Sequence, residues 1–490
     1  MSPRLLARAL LGTSLVGTAL LGACGAVAPA YERPVPPVAD RFPQAAPANA
    51  AASAPAASAT AAADLRWQQF FGDANLRRLI EIALQHNRDL RIAVLNIEQA
   101  RATAGLREAD LWPTLNAGLT GARQPTASGG VSSLYSAGLQ VPTYELDLFS
   151  RVRSLGDAAT QQLLASQAAR QAVQISLIAG VATAHLALQA DDAALRVTRQ
   201  TLQTRQDTQR LTRLRYENGA SSLLDLRSSE SLLAAARAGL AQQQRQRALD
   251  ENALVLLLGQ PLGQALPIDS PLDTPPDAPA GAAAGLAAHP PLPDVPAGIP
   301  SEVLARRPDV RQAEGQLIAA NANIGAARAA FFPKITLTGS LGSVSGALSG
   351  LFKAGSGAWS FAPQLLQPIF DAGRNQANLA FSVAARDIAI AQYEKAIQTA
   401  FREVADALAG RSTLQDQLGA QAALVQAEQG RLDLTELRYR NGASSGLELL
   451  DAQRSLYAAQ LALVQVQAQV QQNAVALYRV LGGGWNDTTR

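Results

Sequence analysis

With 490 residues, 48% of them hydrophobic, the chain exceeds an ordinary single domain and can bury one large core or two smaller ones. Charged residues make up only 17% and aromatic residues 5%, with Ala, Leu and Gln abundant, which is the composition of long packed helices. The formal net charge of +3 comes from basic residues scattered among acids, and this argues against a nucleic-acid partner.

The chain opens with two early arginines, an apolar run from Leu10 to Leu21 and then small residues, the layout of a signal peptide over residues 1–23. That run is too short to span a bilayer comfortably. Leu21-Gly22-Ala23-Cys24 resembles a bacterial lipobox, which would make Cys24 the acylated first residue of the mature chain. Gly25, rather than Asp, follows it, compatible with sorting to the outer membrane. Because Cys24 is the one cysteine, an intrachain disulfide and a cysteine-based metal site are excluded. Residues 24–63 are rich in Ala and Pro and are expected to form an extended, lipid-anchored linker that buries little. No long apolar segment follows, so any membrane crossing is expected to use strands.

Two halves follow, residues 64–296 and 297–490, with a Pro-rich zone over roughly 261–300 between them. They repeat each other: Asp89, Ala100, Gly105 and Pro113 overlie Asp309, Ala320, Gly325 and Pro333 at an offset of 220. Further on, Tyr216, Asn218 and Gly219 overlie Tyr439, Asn441 and Gly442 at an offset of 223. Self-similarity on this scale indicates duplication of a whole unit. No proline lies between Pro142 and Pro261 or after Pro368, so each half has room for very long helices. Residues 158–215 alone make a helix of roughly 85 Å. In the last helix Leu449, Leu456, Leu463, Val470 and Leu477 fall seven apart, followed by Ala452, Ala459 and Val466, an a/d seam that needs a partner helix. The turn at Asn441-Gly442 supplies one from the same chain.

Shorter segments alternate instead. "PKITLTGSLGSV" sets Ile335, Leu337 and Leu341 on one face and Thr336, Thr338 and Ser340 on the other, and "PTLNAGLTG" does so more weakly. Return strands fit "LYSAGLQVPTYELDLF" and "WSFAPQLLQPIFDAG", giving four strands per chain. Four strands cannot close a barrel, and an open edge in lipid leaves backbone groups unpaired. Closure therefore calls for several chains, two at the arithmetical minimum and twelve strands from three.

The turns read "NGASS", each with an acid just beyond: Asp225 after the first, Glu448 and Asp451 after the second. Glu448 and Asp451 are three apart and share a helix face with Leu447 beside them, whereas Ser228 occupies the Asp451 position of the first half. His86, His185 and His289 are far apart with no metal-ligand spacing, and neither a catalytic constellation nor a cofactor motif stands out.

The lipobox, the repeated strand and long-helix unit, "RYENGASSLLDLR", "RYRNGASSGLELLDAQRSL", "AANANIGAARAAFFPKITLTG", "QYEKAIQTAFREVADAL" and the terminal "LGGGWN" together resemble the TolC-like outer membrane efflux proteins, and the OprM-type lipoproteins of the NodT group within them. The resemblance covers the chain from Cys24 onward. It implies a mainly α fold with a small β part: long antiparallel coiled-coil hairpins forming a periplasmic tunnel, and four strands per chain in a trimeric twelve-strand outer membrane barrel. It further implies a non-enzymatic duct for drugs and other small amphipathic compounds. Its partners would be a periplasmic adaptor, an inner membrane transporter of the resistance-nodulation-division type and outer membrane lipid. Leu447, Glu448, Asp451 and Asp225 would line the periplasmic gate, and the hairpin tips at Asn218, Gly219, Asn441 and Gly442 would meet the adaptor. A duct for protein secretion and a structural coiled-coil lipoprotein are the alternatives.

Overall fold

The computed structural model describes residues 28–40, 42, 66–127, 129–265 and 301–483. Cys24, the signal peptide, most of the 24–63 segment and His289 lie outside the described residues. The main helices are α1 (Ala74–His86), α2 (Arg88–Ala109), α3 (Arg151–Glu217), α4 (Leu223–Leu258), α5 (Pro308–Ala329), α6 (Arg374–Arg440) and α7 (Gly446–Val480). The strands are β1 (Asn116–Pro125), β2 (Val131–Leu146), β3 (Lys334–Ser345) and β4 (Gly357–Leu366). The order helix, two strands, very long helix, shorter helix occurs twice, with 22, 67 and 36 helical residues in the first pass and 22, 67 and 35 in the second.

The structure divides into two compact units, one drawing on residues 95–168 and 311–396 with the start of the chain, the other on 37–94, 169–310 and 397–490. In the first unit the strands form one antiparallel sheet in the order β1-β2-β3-β4. Its registers align Ala117, Leu139, Leu341 and Trp359 in one cross-strand row and Asn116, Gln140, Ser340 and Ser360 in the next. Successive rows face opposite sides of a sheet, so one face is apolar and the other polar. Hydroxyl pairs tie the polar face: Thr120 to Ser136 at 2.6 Å and Ser340 to Ser360 at 2.7 Å. Both rows are exposed in the single chain, and the apolar one leaves Leu341 at 67% and Trp359 at 76% exposure with no core over it. Gly138 and Gly342 are direct partners, and a Cβ on either would lie within 2.4 Å of the opposing backbone, so both positions exclude side chains. Around Pro142, which cannot donate to the ladder, the β2–β3 register shifts.

In the second unit the core gathers Phe70, Phe71, Leu79, Ile80, Ile178, Val181, Leu254, Leu258 and Tyr478, with Phe70 stacked on Tyr478 at 3.9 Å between ring centres. The α3 helix is longer than the expected 158–215 and, at 67 residues, extends about 100 Å. It also contains an apolar window long enough by composition to cross a membrane, which corrects the reading that no such segment follows the signal; half of that window is buried inside the protein. On α7 the seam residues Leu449, Ala452, Leu456, Ala459, Leu463, Val466 and Leu477 are buried, as their spacing predicts, while Val470, the remaining seam position, is half-buried. The seam packs closely against α4 and not solely against α6, its hairpin partner.

Each helix hairpin is tied back at its far end by a buried polar residue at equivalent positions. Asn87 Nδ2 donates to the Leu257 carbonyl at 2.9 Å, while its Oδ1 accepts from the Leu90 amide at 2.9 Å. Its counterpart, Arg307, donates to the Val480 carbonyl at 3.0 Å, to Asp309 at 2.7 Å and to Glu403 at 2.8 Å. Hydrogen bonds to these two carboxylates hold the Arg307 cation ionised against its burial, which acts in the opposite sense and is the largest influence on it. Replacing Arg307 with Met removes its bonds to both carboxylates and leaves the Val480 carbonyl without this donor, and should cost roughly 3 kcal/mol of unfolding free energy. Asn87→Ala should cost about 1–3 kcal/mol. Thermal unfolding of the purified protein in detergent checks both, and unchanged transitions would show that these ties carry no stability.

Between α3 and α4, burial first and a hydrogen bond to Asp250 second push the Asp191 carboxyl up to about 7. In the unfolded chain it ionises near 3.8, so between about pH 4 and pH 7 the native state holds the extra proton. Stability contributed by this group therefore falls as pH rises through that window and levels off above it. Asp191→Asn should flatten that part of the pH profile of thermal unfolding, and a profile identical to wild type would contradict the assignment.

Candidate functional site: the paired hairpin tips

The two hairpin turns are built alike. Ala220 N donates to the Arg215 carbonyl at 2.8 Å and Gly219 N to the Tyr216 carbonyl at 3.0 Å; Ala443 N to Arg438 and Gly442 N to Tyr439 repeat the pattern at 2.8 and 3.2 Å. This paired closure of a helix C-terminus requires a left-handed residue, and Gly219 and Gly442 take φ of 71° and 69°. Asn218 and Asn441 each donate a side-chain amide to the carbonyl four residues back, at 2.7 and 2.8 Å. All four tip residues are exposed.

The acids beyond the turns have a local role that their spacing already encodes. Ser222 caps α4: its Oγ accepts from the Asp225 amide at 3.1 Å, and Asp225 Oδ2 accepts from the Ser222 amide at 3.2 Å. Ser445 caps α7 by accepting from the Glu448 amide at 3.3 Å. Both are S-x-x-acid starts, which satisfy otherwise unpaired amides at the first turn. Glu448 also accepts from Ser444 Oγ at 2.5 Å, and this bond is the main cause holding its carboxyl below the usual range.

Leu447, Glu448 and Asp451 stand together on the first turns of α7, with Leu447 60% exposed. Asp451 is paired on both oxygens, with Arg454 at 2.5 Å and Arg431 of α6 at 3.2 Å, and Arg431 reaches Glu428 at 2.7 Å. Asp225 belongs to α4 yet comes beside Gly446, the residue before Leu447, where a Cβ would sit 3.4 Å from its Oδ1. The Arg215 guanidinium lies 4.7 Å from the centre of the Tyr439 ring and joins the two tips. Arg431, Arg454 and the Arg215–Tyr439 contact were not singled out from the sequence. Arg454 follows Asp451 by three and was readable from helix spacing; Arg431 and Tyr439 meet partners on other helices, which spacing does not reveal. His185 lies 3.1 Å from Asp73, whose carboxyl this hydrogen bond, aided by the Asn75 amide, holds down to about 2 against the effect of burial.

A family model for outer membrane efflux proteins matches residues 79–260 and again 299–483. The chain is 45% identical over 476 residues to the antibiotic efflux pump outer membrane protein ArpC of Pseudomonas putida, covering 96% of this chain and 94% of that protein. Identity and coverage are the same for a toluene efflux pump outer membrane protein, TtgC, also of Pseudomonas putida. The crystal structure of the open state of the MtrE outer membrane channel from Neisseria gonorrhoeae superposes with a TM-score of 0.79 at 40% identity, covering 94% of this chain and 98% of that one. With long helices, a four-stranded sheet and similarity along nearly its whole length, the chain belongs to the outer membrane efflux protein family and acts as an efflux channel of the outer membrane.

Proposed function

We propose that three copies of this chain close their sheets into one twelve-strand barrel and that the long helices continue it as a periplasmic tunnel. The observation that carries this reading is a four-stranded sheet with an apolar face left exposed, whose outer strands, β1 and β4, each have one neighbour among the described residues. In bilayer hydrocarbon such edges are tolerated only when paired, and the apolar row is where lipid chains would lie. The matching element order of the two halves supports duplication of a unit, with divisions at residues 64–296 and 297–490.

The duct is a passive part of a pump. A periplasmic adaptor docks at the tips around Asn218, Gly219, Asn441 and Gly442, and an inner membrane transporter of the resistance-nodulation-division type supplies the energy. Relatives named for antibiotic and toluene efflux support small amphipathic compounds as cargo. Cys24 carries the lipid anchor.

Six tips then surround the axis of the trimer. Copies of Leu447 narrow it apolarly, and Glu448 and Asp451 ring it with carboxylates, a device that favours cations. Arg431 and Arg454 offset much of the Asp451 charge, so Glu448 carries more of the selectivity; Asp225, committed to its cap, adds less. In planar bilayers, Leu447→Ala should raise closed-state conductance by about two-fold or more by widening the apolar constriction. Glu448→Ala should weaken cation preference more than Asp451→Ala does. Wild-type conductance and selectivity in all three variants would return these residues to an ordinary solvated helix face.

A further inference from the structure

The start of the described chain is not a solvated linker. Tyr31 Oη donates to Glu314 Oε1 at 3.1 Å, and Arg33 grips both oxygens of Glu314, Nε to Oε1 at 2.7 Å and Nη2 to Oε2 at 2.6 Å. Asn321 Nδ2 donates to the Pro29 carbonyl at 2.9 Å. At Gly325 an added Cβ would lie 2.6 Å from Ala28 Cβ and 2.7 Å from Ser154 Oγ, so only glycine leaves room for the strap there. Contacts thus climb α5 from 314 to 321 to 325 as the strap runs backward from 33 to 28. Eleven helical residues rise about 16 Å, close to the reach of five extended ones, so the strap lies stretched along the helix.

Only one of the two repeated helices is built for this. At the offset of 220, α2 has Val94 in place of Glu314 and Arg101 in place of Asn321, with Arg101 paired to Glu98, and nothing lies within 4 Å of a Cβ on Gly105.

The direction of the strap leads to an apolar rim. Past Gly325, α5 ends and Phe331 and Phe332 follow, 42% and 43% exposed, just before β3. Phe332 stacks on Phe149 at 4.6 Å between centres. Gln367, at the exit of β4, donates to the Phe331 carbonyl at 3.1 Å, and Ile369 and Phe370 beyond it are 96% and 89% exposed. Cys24 precedes Ala28 by four residues, a reach of roughly 14 Å, whereas the rise from Gly325 to Phe331 is about 9 Å. The chain outside the structure is therefore long enough to end at this rim.

We propose that the apolar rim at the strand bases is the seat of residues 24–27 and of the acyl chains on Cys24, with Glu314 as the latch that fixes their depth. This rests on the reading that Cys24 is acylated, and the experiment separates the two. Full-length protein would be made in cells fed a diazirine fatty acid, its acylation measured by intact mass, and photo-crosslinks from the acyl chains mapped in outer membranes. Wild-type crosslinks are expected on peptides holding Phe331 and Phe332 or Ile369 and Phe370. In Glu314→Ala they should fall by about ten-fold or more, as loss of a charge-assisted pair implies, with acylation unchanged. Gly325→Leu should do the same without altering charge, and both variants should speed hydrogen exchange at residues 30–33. An acylated wild type that crosslinks only to lipid, or a Glu314→Ala pattern equal to wild type, overturns the seat and latch while leaving the anchor standing. An unacylated chain overturns the anchor and the proposal together.

Discussion

Among the described residues the β1-β2-β3-β4 sheet has two unpaired edges, and they are the constraint on which the rest depends. A soluble protein would bury the apolar row of Ala117, Leu139, Leu341 and Trp359; here that row stays as exposed as the polar row, which hydroxyl pairs knit. An outer membrane channel inverts the usual arrangement in this way because lipid, rather than a core, covers its strands. Edges without partners are then a demand for further copies of the chain. Stability within one copy has to come from elsewhere, and it comes from helix packing around Phe70, Ile178, Leu254 and Tyr478 and from the ties at Asn87 and Arg307.

At the C-terminal ends of α3 and α6, short turns serve two demands with few residues. Glycines at positive φ end the long helices, serines start the return helices, each accepting from the amide of the acid three residues later, and in the first tip Asp225 completes the cap by accepting from the Ser222 amide. The same acids are the charges that the proposed gate presents. A tip held by caps, one cation–π contact and exposed ion pairs, rather than by a large apolar core, is a region that can move apart at modest cost. This suits a duct whose resting closure must yield to a docked partner.

Much of this was legible in the sequence because it is periodic or local. Proline-free windows gave the long helices, alternation placed β3 and more weakly β1, and the seven-residue spacing on α7 named a seam that is buried at every position but Val470. Contacts between distant segments were not legible. Arg307 meets Glu403 and Val480, Arg431 meets Asp451, and Arg33 meets Glu314, pairs that helical spacing does not connect. Composition also misjudged the segment after Cys24, since Ala- and Pro-rich chain buries little on its own yet residues 28–33 dock on a seat that α5 provides. The serine caps before Asp225 and Glu448, and the reciprocal bond of Asp225, were legible in the S-x-x-acid spacing.

Closure of the sheet between copies is the claim on which the account turns, and covalent capture of the edges tests it most directly. Single cysteines would be scanned along β1 and β4, paired and oxidised in outer membranes, and the products sized under denaturing conditions. The account predicts bonds between copies at particular β1–β4 registers and a ladder that stops at three chains. Bonds only within one chain, or a ladder that stops at two, would contradict it.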